Sequence, residues 1–299
     1  MTLKQKGLLA ALSANTIWGF TSIPIRLLRT YPPEQILFFR IIISLAVCWT
    51  FILSYKKESL KLTLKAINTG GKKHYLLVIS SGLLITLNWY AYIYVVNYVN
   101  LNTAAFAYMI CPLITAVAGF IILKEEVSRL KFIAIGLALI SIIALATGSF
   151  TDVLWSVITA AFYAFYLIVQ RVLNSLDKII VLGLQLIIAF VLTLPFFHEQ
   201  LYHVPVDLTF WILVSAIAIV FTLIPLFLSL YALESLPSST VGILIYINPV
   251  VAFSIAFLYF HESINPNQVL AYSLLVIAVI VFNWKIINSA VFRAKDKIF

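Results

Sequence analysis

Apolar residues run through this chain in long stretches, broken only by short polar joints. A helix needs roughly 20 apolar residues to cross a hydrocarbon layer of ~30 Å. Ten stretches reach about that length: 6–28, 34–55, 75–97, 101–123, 131–149, 152–172, 178–197, 208–233, 238–260 and 267–287. The joints between them are too short to hold a soluble domain. The pattern therefore predicts an all-α polytopic membrane protein of ten transmembrane helices. The first stretch has polar interruptions and no small-residue cleavage site, so it reads as a retained span rather than a signal peptide.

Composition agrees with the pattern. The chain of 299 residues is 63% hydrophobic and 10% charged, where soluble chains carry about a quarter charged residues. Its net charge of +9 would suit nucleic acid, but the positions of the charges argue for a membrane. With a cytoplasmic N-terminus, ten spans return the C-terminus to the same side. That arrangement places 17 of the 20 Lys and Arg residues inside, leaving only Arg26, Arg29 and Arg40 toward the outer side. Such a bias sets orientation in a bilayer, with anionic lipid headgroups as the partners of the basic loops and no nucleic acid. Cys48 and Cys111 both fall inside spans, which argues for small apolar core residues and against a disulfide framework.

Two stretches share one layout. Pro112 lies within "AYMICPLITAVAGFIILKEEV" and Glu125 follows it by 13 residues; Pro249 lies within "IYINPVVAFSIAFLYFHES" and Glu262 follows it by 13. A register shift of 137 also pairs Thr103 with Thr240, Phe120 with Phe257 and Ala134 with Ala271. A second correspondence comes from helix faces. Asn15, Gly19, Ser22 and Arg26 fall on one face of span one, and Thr159, Tyr163, Tyr166 and Gln170 keep the same spacing in span six. The reading is two five-helix repeats, 1–149 and 150–299. Five is odd, so the second repeat inserts upside down relative to the first. Inverted repeats of this kind characterise secondary transporters whose site lies near the midplane, between the halves.

These residues resemble a known family. "IWGFTSIPIRLL" in span one, the Glu34–Arg40 opening of span two and the paired Pro-then-Glu helices resemble EamA-type transporters of the drug/metabolite transporter superfamily, over the entire chain. "NWYAYIYVVNYVNLNTAAFAYMICPL" and "SSTVGILIYINPVVAFSIAFLYFHE" are similar to the RarD-like branch. The resemblance implies a ten-helix protein of the bacterial inner membrane that exports or exchanges small metabolites. Pro32-Pro33-Glu34-Gln35 departs from the adjacent acidic residues of that pattern.

The polar residues of the spans nominate the site, each against a plainer alternative. An arginine within a span costs ~2.5–3.5 kcal/mol on insertion scales unless it snorkels or lines water. Arg26, near a span end, is placed to snorkel. Arg40 lies about 9 Å inside Glu34 at 1.5 Å per residue; it either pairs with Glu34 or helix carbonyls, or attracts an anionic substrate. Asn88, Trp89 and Tyr92 form a mid-span stripe that packs a helix or lines a cavity. Tyr108 and Tyr246 precede Pro112 and Pro249 on the same face and are candidates for substrate contact, with Asn248 beside them. Pro112, Pro225 and Pro249 each free a backbone carbonyl and bend a helix, giving candidate gates. Glu125 and Glu262 close the duplicated helices as caps, loop braces or latches between halves.

Other chemistry is weaker. "HEQLYH" spaces His198 and His203 five apart, which sets the rings ~140° apart on a helix, so no metal site is expected. No Asp or Glu lies near the centre of a span, so no proton relay stands out. An intramembrane enzyme would need a nucleophile system that the spans lack, and no cofactor is implied. The expectation is a secondary transporter working by alternating access, lined by spans one, three, four, six, eight and nine. Its site would lie near Trp18, Arg40, Asn88, Trp89, Tyr92, Tyr108, Tyr163, Tyr246 and Asn248, and the aromatic content points to amino acids or amphipathic aromatic compounds. Nucleotide-sugar or lipid exchange, and a passive channel, are the alternatives.

Overall fold

The computed structural model describes residues 2–124, 128–173, 175–201, 204–236 and 244–295, excepting the side chains of 196–201, 230, 233–235 and 285–295. Among the described residues the chain is helical and contains no strand. Among the described residues, nine helical stretches are long and apolar enough to cross a membrane, and Ile247–Tyr259 is a shorter apolar helix. The described α-helices are α1 (Leu3–Gly19), α2 (Ser22–Leu27), α3 (Pro33–Tyr55), α4 (Lys57–Thr69), α5 (Gly71–Tyr94), α6 (Leu101–Leu123), α7 (Arg129–Gly148), α8 (Phe150–Val172), α9 (Lys178–Leu201), α10 (Leu208–Ala218), α11 (Ile224–Ser235), α12 (Ile247–Ser254) and α13 (Pro266–Lys295). Three π-helical segments, Val95–Val99, Ile219–Leu223 and Ile255–Tyr259, extend α5, α10 and α12.

Several elements differ from the apolar pattern. Span one is two helices, broken at Phe20–Thr21. Pro24 has no N–H for the Phe20 carbonyl, which instead accepts from the Ile23 N–H at 3.1 Å. The basic joint after span two is itself a helix, α4. Thr63 and Ile67, one turn apart on it, are buried. Of the expected stretch 238–260, the structure describes 244–260.

Small residues let the helices approach one another, as in membrane bundles generally. Ala10 and Ala11 of α1 cluster with Ala232 of α11. Ala134 and Ala138 of α7 belong to one core with Ala271 and Ala278 of α13, and Ser141 donates to the Ala271 carbonyl at 2.6 Å. Gly19 is required where α1 meets α12, because a Cβ there would lie 2.5 Å from the Val251 Cβ. Large apolar side chains such as Ile121, Ile133, Leu139 and Ile143 point outward, where hydrocarbon would cover them.

The packing has a regular plan. α1 packs on α11 and α12, while α8 packs on α5 and α6. α3 meets α9, α6 meets α12, and α7 meets α13. A larger apolar core gathers Ile25, Leu37, Phe38, Phe39, Tyr92, Phe210 and Ile217. Phe39 sits edge-on to Trp211, with centroids 4.9 Å apart.

Candidate functional site

Arg40 stands on α3 with only 5% of its surface exposed. Its guanidinium lies over the Trp89 ring, 4.5 Å from the centroid, and its Nε donates to Thr222 Oγ1 at 3.1 Å. Thr222 belongs to the π segment Ile219–Leu223, and its own hydroxyl donates to the Ile217 carbonyl at 2.7 Å. That fixes the hydroxyl as an acceptor for Arg40. Of the alternatives weighed for Arg40, a pair with Glu34 is not made among the described residues, and Glu34 accepts from the Tyr90 hydroxyl at 2.6 Å. Among the described residues Arg40 makes no ion pair.

A polar-aromatic patch continues from this charge. Tyr92 and Tyr108 lie within electrostatic reach of Arg40, and their rings meet edge to face at 5.4 Å. Tyr108 in turn meets Tyr163 at 5.7 Å, and Tyr163 stacks on Tyr166 at 5.7 Å. Asn88 is held between helices: it donates to the Thr159 carbonyl at 2.9 Å and accepts from the Tyr108 hydroxyl at 3.5 Å. Gln170 donates to the Tyr166 hydroxyl at 2.6 Å. Among the described residues the Tyr92 and Tyr163 hydroxyls have no hydrogen-bond partner in view.

The structure therefore brings together Arg40, Asn88, Trp89, Tyr92, Tyr108 and Tyr163. Tyr246, like Tyr108 and Tyr163, lies within electrostatic reach of Cys111, but it makes no ring contact with the group among the described residues. The Tyr246 hydroxyl is occluded beside Asn283 without a hydrogen bond of normal geometry. Trp18 and Asn248 do not join the patch by any ring contact or side-chain hydrogen bond among the described residues. Asn248 instead lines the close approach to Gly19 with its carbonyl. Thr222, Tyr166 and Gln170 complete the patch beyond the residues nominated from sequence.

The prolines differ from expectation in where they stand. Pro112 lies inside α6, as expected. Pro225 is the second residue of α11, directly after a π segment, and Pro249 is the third residue of α12. Both thus occupy first turns rather than helix interiors. Each ring excludes the carbonyl four residues earlier, so the chain adopts a π turn before one and an irregular turn at Ile245–Tyr246 before the other.

A second cluster closes the end of the bundle far from the N-terminus. Glu262 follows His261, whose left-handed φ of 52° turns the chain back. Its carboxylate accepts from the backbone N–H groups of Leu101 and Asn102 at 3.0 and 3.2 Å, and from Asn102 Nδ2 at 3.0 Å. Those are orphan donors at the start of α6, where a negative charge also suits the helix dipole. Arg26 lies 3.6 Å from the same carboxylate and donates to the Val96 carbonyl. Nearby, Asp152 is buried and accepts from Asn100 at 3.2 Å and Gln268 at 3.0 Å. Glu125 and His203 lie outside the described residues, as does the side chain of His198.

A bundle of apolar helices that buries a lone guanidinium among tyrosines, and closes one end with charge, is a polytopic membrane protein built around a polar interior. The comparisons give the family. The chain matches the EamA-like transporter family over residues 5–147 and again over 151–284, and it belongs to that family. It is 27% identical over 292 residues to Protein RarD of Streptomyces exfoliatus, covering 96% of this chain and 91% of that one. It is 28% identical over 289 residues to the uncharacterized transporter YojE of Bacillus subtilis (strain 168), covering 94% of each. Protein RarD of Escherichia coli (strain K12) is 24% identical over 294 residues, covering 93% of this chain and 94% of that one. A crystal structure at 15% identity superposes with a TM-score of 0.62 over 93% of this chain and 97% of that one, a likeness of fold alone. The protein is a multi-pass membrane transporter of the RarD-like type, in a bacterial inner membrane, acting on a small-molecule substrate.

Proposed function

We propose that the protein is a secondary carrier of small amphipathic metabolites that works by alternating access between two inverted five-helix repeats. The observation that carries this reading is the clasp formed by Glu262. A carboxylate from the second half grips the start of α6 in the first, closing one end above a buried polar-aromatic patch. The patch itself draws on both halves: Arg40, Asn88, Trp89, Tyr92 and Tyr108 from the first, Tyr163, Tyr166 and Thr222 from the second.

The plan of helix contacts supports the repeat. Numbering the spans one to ten, span one packs on eight and nine, and span six packs on three and four. Exchanging the halves turns one set into the other. Contacts of two with seven, four with nine and five with ten map onto themselves, and three with seven maps onto eight with two. The family match in each half supports it as well. With both termini cytoplasmic, as the basic residues favour, the clasped end faces outward.

Flux in proteoliposomes tests the carrier reading. A carrier saturates with substrate and shows counterflow, in which unlabelled substrate inside drives uptake of label. A flux that stays linear in concentration and lacks counterflow would replace the carrier with a channel.

A further inference from the structure

We propose that the carried molecule is an aromatic monocarboxylate, its carboxylate on Arg40 and its ring among Trp89, Tyr92 and Tyr108. The proposal rests on the carrier reading above and names its substrate class. A guanidinium keeps its proton in proteins and offers five donors in a planar fork. Here Nε is taken by Thr222, one face is covered by Trp89, and no ion pair is made among the described residues. A charge kept this deep without a counter-ion is arranged to receive one. The fork matches a carboxylate in two parallel hydrogen bonds.

The charge inventory narrows the class further. Arg40 is the only cation among the described residues of the patch, which suits one negative charge. A nucleotide sugar or other phosphate ester would bring more charge than this site balances. A zwitterionic amino acid is also disfavoured, because its ammonium needs an acid and the described acids near the spans are engaged. Glu34 holds Tyr90, Asp152 holds Asn100 and Gln268, and Glu262 holds α6 and Arg26. Tyr92, within electrostatic reach of Arg40, has a hydroxyl that could donate to an anionic oxygen held there. The ring of the ligand would meet edge and face contacts of the kind the tyrosines already make with one another.

Binding to the purified full-length protein tests this with four probes of one shape: 3-phenylpropionate, 3-phenylpropionamide, phenethylamine and phenylalanine. The acid should bind tighter than the amide, and than either amine-bearing probe, by on the order of tenfold, as expected for a charge-assisted bond. Arg40→Gln should erase the preference of acid over amide. Arg40→Lys should keep that preference with weaker binding overall, and it serves if the Gln variant does not fold. Equal binding of acid and amide, a preference for phenylalanine or phenethylamine, no binding by any probe, or a preference that survives Arg40→Gln would each overturn the proposal. Counterflow of labelled 3-phenylpropionate, corrected for protein-free liposomes, separates the two readings. Selective binding without flux would sink the carrier and leave the site, whereas saturable flux of the amide equal to that of the acid would sink the site and leave the carrier.

Discussion

At the scale of single residues, charge placement dominates. Glu262 is half-buried and surrounded by donors only: two backbone amides, the Asn102 amide and the Arg26 guanidinium. Glu262→Gln keeps the shape but turns one oxygen into an NH2 group facing those donors, and it removes the ion pair. Hydrogen bonds to a charged group are worth about 1.5–3 kcal/mol each, so the variant should lose about 2 kcal/mol of stability. A lower melting temperature of the purified protein checks it, and an unchanged one would show the clasp to be slack. The candidates Arg40, Asn88, Trp89, Tyr92, Tyr108 and Tyr163 were legible because polar and aromatic residues mid-span are conspicuous in an apolar sequence. Thr222 was not. A lone threonine in "IVFTLIPL" is unremarkable until a π turn aims it at Arg40. Asp152 lies at a span end, where a carboxylate in sequence suggests only a solvated cap, not the buried acceptor it is.

At the scale of elements, hydropathy located the spans but not their breaks. A π segment inserts one residue into the 3.6-residue register and is found at functional sites in many proteins, yet no composition marks it. The amphipathic α4 was hidden by its lysines, which read as a topological joint. The prolines separate into two kinds. Pro112 is carried within a continuous α6, whereas Pro249 coincides with a fresh helix start after the Ile245–Tyr246 turn. The Ile245 carbonyl already accepts from the Asn248 N–H at 3.1 Å; Pro249→Ala adds a donor four residues on and lets α12 grow backward through that turn. One regained hydrogen bond is worth about 1 kcal/mol, and a growing helix gains more than one. Turnover in counterflow should therefore fall about tenfold for Pro249→Ala, equivalent to ~1.4 kcal/mol of barrier. Pro112→Ala should slow it only about threefold, since its helix is already continuous. Binding should be unchanged in both. Equal rates in the two variants and the wild type would assign both prolines to packing.

At the scale of the whole molecule, the proposed alternating access requires two states, and the closed end described above would belong to one of them. Arg26, Glu262 and the start of α6 close the end opposite the N-terminus. With both termini cytoplasmic, the proposed topology that puts 17 of the 20 basic residues inside, the closed end is the outer one. Access to the patch should accordingly be one-sided in the resting protein. A cysteine at Tyr108, in a chain also carrying Cys48→Ala and Cys111→Ala, provides the reporter. An impermeant maleimide should label it in inside-out vesicles and leave it untouched in intact cells. A second cysteine at Lys61, on the exposed face of α4, fixes the orientation independently and should react only in the inside-out vesicles. If Lys61→Cys reacts in intact cells, the orientation is reversed, whatever the patch does. If Lys61→Cys behaves as expected but Tyr108→Cys labels from outside, the clasp does not close the resting state. The two reporters thus separate an error of topology from an error of mechanism.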